Sequence, residues 1–137
     1  MDNKLDGFFS DIYETILDST EMKTYLGDVE LNKLSLPFLQ VIPDTTNRTD
    51  NQEYDNRIRL FYYFERDRRT NKYVEHLRDM ENSIANILSA LDGKNGVINY
   101  QVESIIHYSG ETENTLLEVV ECELKVTKLM DFTKFKN

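Results

Sequence analysis

Apolar residues along this chain recur with two periods, and the order of those periods predicts a fold. From Glu53 to Phe64 the period is two: Tyr54, Ile58, Leu60, Tyr62 and Phe64 fall on one side, Arg57, Arg59 and Glu65 mostly on the other. Alternation of this kind marks a strand with one buried face. It returns over 98–108, where Ile98, Tyr100, Val102, Ile106 and Tyr108 share a side. It returns again over 116–126, where Leu116, Val120, Cys122, Leu124 and Val126 share a side and Glu118 interrupts them. Between these stretches the period is helical. Tyr73, Leu77, Met80, Ile84, Ile87 and Leu91 are spaced by four and three, with Glu75, Arg78, Asp79, Glu81 and Asn82 opposite. That spacing predicts an amphipathic helix from Thr70 or Asn71 to Asp92, closed by Gly93 and Gly96.

The first half of the chain adds three elements. Phe8, Phe9, Ile12, Tyr13, Ile16 and Leu17 form one apolar stripe, so residues 7–26 read as a helix capped by Asp6, stopped by Gly27 and open to a break near Ser19-Thr20. Residues 28–35 read as a connection. The run Leu36-Pro37-Phe38-Leu39-Gln40-Val41-Ile42 reads as a short strand. Its bounding prolines, Pro37 and Pro43, cannot donate to a ladder and place it at a sheet edge. Residues 44–52 carry no apolar side chain and read as a long hairpin loop of the kind that becomes ordered against a partner. A second hairpin loop is expected over 109–114.

The expected fold is therefore α+β, in the order α-β-β-α-β-β: two layers, with a four-stranded antiparallel sheet packed by helices. One domain spans 1–128, and 129–137 form a C-terminal tail. Phe61, Tyr63, Ile105, Leu117 and Val119 fall on the second sheet face. So many apolar residues there predict a contact surface.

Charge narrows the partners. The chain has 25 acidic against 16 basic residues, a net charge of −9. Gripping nucleic acid phosphates requires clustered lysine and arginine, so such binding is not expected. There is no apolar run long enough to span a bilayer, and Met1-Asp2-Asn3-Lys4-Leu5-Asp6 does not open a secretory leader. An intracellular, reducing compartment is the expectation. Cys122, the single cysteine, sits among apolar strand positions and reads as a buried, inert thiol.

Candidate chemistry is sparse. His76 and His107 have no metal-spaced neighbour and read as structural or surface residues. Gly93-Lys94-Asn95-Gly96 follows a helix instead of opening one, so it reads as a turn and not as a phosphate cradle. Asp44, Asp50, Glu53 and Asp55 lack the spacing of a calcium loop; a divalent-cation hydrolase built on them would be stabilised by metal. Glu121 and Glu123 share a strand face and repel unless cations lie opposite, and Arg57 and Arg59 offer those cations, within one chain or across an interface. No enzyme, metal or cofactor is expected.

The helix, the run Leu36 to Ile42 continuing into Pro43-Asp44, the long strand, the second helix and the final hairpin together resemble the tail-terminator and tail-completion proteins of tailed bacteriophages, over roughly residues 5–128. What the resemblance implies is a structural virion protein, assembled in the host cytoplasm. Its copies form a homo-oligomeric ring, commonly a hexamer, at the head–tail junction. The ring touches tail-tube and head-connector proteins and lets DNA pass without specific binding or any membrane role. Under it, Arg57, Arg59, Phe61, Tyr63, Glu121 and Glu123 belong to the subunit interface. Thr46, Asn47 and Arg48 of the loop and Phe132 and Phe135 of the tail dock partners. A net negative charge suits a channel that DNA must slide through. The competing readings are a head-completion adaptor or tail-tube subunit, and a small cytoplasmic module binding a peptide or small molecule on its apolar sheet face.

Overall fold

The computed structural model describes residues 6–50, 52–66, 70–94, 96–111 and 116–129. Its elements are α1 (Asp6–Ser19), β1 (Thr24–Leu26), a short 3-10 turn (Leu31–Lys33), β2 (Phe38–Asp50), β3 (Glu53–Glu65), α2 (Thr70–Asp92), β4 (Val97–Glu111) and β5 (Leu116–Leu129). The strands form one sheet in the order β1-β2-β3-β5-β4. The β1–β2 pair is parallel and the other three pairs are antiparallel. Both helices lie on one face, so the α+β class holds.

The sheet is nevertheless not the expected four-stranded antiparallel one. It is five-stranded and mixed, because the segment expected as the end of a 7–26 helix splits. The helix stops at Ser19, where side-chain hydroxyls compete for its last carbonyls. Ser19 Oγ donates to the Ile16 carbonyl at 2.9 Å and Thr20 Oγ1 to that of Leu17 at 3.5 Å. Thr24, Tyr25 and Leu26 then pair in parallel with Leu39, Gln40 and Val41. The 36–43 run is thus no simple edge strand: β1 covers it over those three residues.

The expected 44–52 loop is also strand. β2 continues to Asp50, with Thr46 opposite Asn56, Asn47 opposite Asp55 and Arg48 opposite Tyr54. Asp50 pairs with Glu53, and Gln52 at φ 66° turns the chain in the left-handed region. Threonines at 45, 46 and 49 favour extended backbone. They bury little, so the strand has no apolar alternation to betray it.

β4 runs from Val97 to Glu111, with register shifts between Val97 and Asn99 and between Val102 and Ser104. Each bulge adds one residue and inverts the side-chain phase. Tyr100 and Val102 therefore face the helices opposite Val126 and Leu124, but Ile106 and Tyr108 lie opposite Glu121 and Val119 on the other face. The expected grouping of Ile106 and Tyr108 with Tyr100 is corrected accordingly. So is the placement of Ile105, which pairs with Cys122 on the helix side. β5 extends to Leu129, one residue into the expected tail; Phe132 and Phe135 lie outside the described residues.

The core fills the space between sheet and helices. Ile12 and Ile16 of α1, Met80, Ile84, Ile87 and Leu91 of α2, and Ile58, Leu60, Tyr62, Phe64, Val120, Cys122, Leu124 and Val126 of the sheet form one buried cluster. Full burial stabilises by about 1.5–3 kcal/mol for each side chain of this size. Among the described residues no buried side-chain polar atom lacks a hydrogen-bond partner. Asn56 Nδ2 donates to the Val126 carbonyl at 3.3 Å and its Oδ1 accepts from Thr46 Oγ1 at 3.0 Å. Lys128 Nζ lies 3.8 Å from Asp11 of α1. Burial lowers the pKa of that ammonium, and the Asp11 carboxylate opposes the shift.

Candidate functional site

Cross-strand partners share a face, so the register defines the side of the sheet that no helix covers. Three bands of residues cross it. The first is aromatic. Tyr25 meets Phe38 edge-on with ring centroids 5.6 Å apart, Phe38 stacks on Tyr63 at 4.9 Å, and Tyr63 is followed by Phe61 at 6.2 Å. Tyr63 Oη donates to Gln40 Oε1 at 2.7 Å, and Gln40 Nε2 donates to the Gly27 carbonyl at 2.9 Å. Phe38, Gln40, Leu117 and Val119 are buried here although the helices pack on the opposite side.

The second band is charged. Arg57 Nη1 lies 3.1 Å from Glu103 Oε1 and 3.4 Å from Glu123 Oε1. Arg59 Nε lies 3.4 Å from Asp44 and 3.8 Å from Glu123, and its Nη1 lies 3.7 Å from Glu121. Lys125 Nζ lies 3.8 Å from Glu103, and Thr127 Oγ1 donates to Asp55 at 2.6 Å. The five carboxylates of Asp44, Asp55, Glu103, Glu121 and Glu123 thus outnumber the cations of Arg57, Arg59 and Lys125 in this band. Each exposed pair contributes about 0–1 kcal/mol. The third band is the open end of β4, where Ile106 and Tyr108 are exposed.

The structure therefore brings Arg57, Arg59, Phe61, Tyr63, Glu121 and Glu123 together on one face. The four charged ones find partners within the chain. Thr46, Asn47 and Arg48 stand in the exposed half of β2, at the sheet border and apart from that cluster.

A second polar cluster lies on the helix side and escapes sequence reasoning. Glu118, buried near the start of β5, accepts from Arg66 Nε at 2.8 Å and from Ser109 Oγ at 3.3 Å, and its Oε2 lies 2.9 Å from His107 Nε2. Tyr73 Oη of α2 lies 2.8 Å from His107 Nδ1, and Tyr62 Oη lies 2.9 Å from His76 Nδ1. The Phe64 ring stacks on His76 at 4.6 Å, between these two contacts. This cluster ties the start of α2 to three strands. The only signal for it in the sequence is Glu118 breaking an apolar alternation. Among the described residues no three His, Cys, Asp or Glu side chains are arranged to hold a metal ion. An open depression is lined by Glu21, Met22, Pro37, Asp79, Asn82, Ser83 and Asn86.

Titration of the buried groups on the two faces of the sheet has a definite sign. Burial, with Tyr108 and Glu121 adding, pushes the Tyr63 phenol up to about 12 from an ordinary 10.0. Burial and then Glu121 raise Tyr108 as well, and burial and then Glu123 push the Cys122 thiol up to about 12. Such groups keep their protons in the folded state after the unfolded state has lost them, so the stability they support is complete below the unfolded pKa and lost above it. Melting temperature is expected to fall as pH rises from about 10 toward 12. Lys128 works in the opposite direction but is a single group. Tyr63→Phe should flatten the decline, read by thermal melts and phenolate absorbance. A flat wild-type profile over that window would show these groups to be open to solvent.

No protein-family model matches the sequence, and no curated protein matches it. Among solved structures, a crystal structure from Akkermansia muciniphila is similar with a TM-score of 0.38 and 11% identity, over 88% of this chain and 49% of that one. The chain thus spans about half the length of that protein. A likeness of this degree says nothing about function.

Proposed function

We propose that this chain is a structural virion subunit of the tail-terminator or tail-completion kind. Its copies close into a ring at the head–tail junction, a hexamer by the resemblance, and DNA passes through the ring. The observation that carries the reading is the helix-free sheet face. It joins a carboxylate-rich band, suited to a channel that must not hold the DNA backbone, to the exposed apolar side chains of Ile106 and Tyr108. The order of elements differs from the one that prompted the resemblance by the additional strand β1.

Native mass spectrometry over a concentration series, followed by negative-stain imaging, tests the reading. The expected result is a closed ring with a central hole, present alone or on addition of tail tubes. A chain that remains monomeric at every concentration and in the presence of tubes would reject it in favour of a small binding module.

A further inference from the structure

We draw no further inference here: the strongest candidate, the outer border of β4 where Ile98, Ile105, Ile106 and Tyr108 are exposed, is an apolar edge without a strand partner among the described residues, and nothing in the structure shows what covers it.

Discussion

Replacing Phe64 with alanine is expected to cost about 3–5 kcal/mol of stability, the usual range for emptying a large aromatic site in a core. Phe64 is fully buried, and its ring touches His76, Tyr62 and Tyr73 at centroid distances of 4.6, 5.4 and 5.9 Å. These neighbours come from β3 itself and from α2, so the void would open where helix meets sheet. None of them collapses into the void without breaking a hydrogen bond held by Tyr62, Tyr73 or His76. For a domain of this size the loss corresponds to a fall in melting temperature on the order of 10–20 °C. Phe61, only half-buried on the helix-free face, provides the comparison: its alanine variant should cost about 1 kcal/mol in the isolated chain. Urea unfolding of both variants checks the contrast, and equal losses would refute the two-sided account of β3.

The second large effect concerns Glu118. Glu118→Ala is expected to cost about 2–3 kcal/mol, below the ~3–5 kcal/mol of a fully enclosed broken pair. The discount follows from exposure, because the Arg66 and His107 side chains are 30% and 32% accessible and regain water when the carboxylate is removed. What remains is a guanidinium and an imidazole side by side, and a Tyr73 contact that has lost its anchored partner. Glu118→Gln keeps the size and most hydrogen bonds and should lose roughly half as much. Hydrogen exchange separates this from a global effect. Amides in the first turns of α2 should exchange faster in Glu118→Ala than the change in global stability requires, whereas a uniform change would show that the cluster does not hold that helix.

Parts of this architecture can be read from the sequence, and the rest is hidden for identifiable reasons. α2 is legible because Tyr73 to Leu91 form one face over many turns, and β3 and β5 because each keeps a single alternation along its length. β1 is hidden: three residues are too few to show a period, and a parallel pair needs no adjacent turn to announce it. The outer half of β2 is hidden because it stands beyond the core and has nothing apolar to alternate. β4 misleads because its bulges shift the phase, so that a pattern reading as one face is divided between two. The helix-free cluster is legible in composition, since Arg57, Arg59, Phe61, Tyr63, Glu121 and Glu123 do share a face. Which acid each arginine meets depends on the β3–β5 register, which nothing local specifies. Glu118 and His107 come together only through that long-range pairing.

The position of β5 has a consequence for how the protein is made. It is the last of the five strands in chain order, yet it lies inside the sheet, with β3 on one side and β4 on the other. The Asn56 amide meets the Val126 carbonyl across a separation of 70 residues. During synthesis the β2–β3 hairpin and both helices emerge while the middle of the sheet is still missing. Until β5 inserts, β3 carries an open border and a bare apolar face, and β4 has nothing to pair with. Closure of so distant a pairing is slow compared with hairpin or helix formation. A ribosome pausing after Glu111 would therefore hold an aggregation-prone half-sheet, the kind of nascent chain that calls for a chaperone.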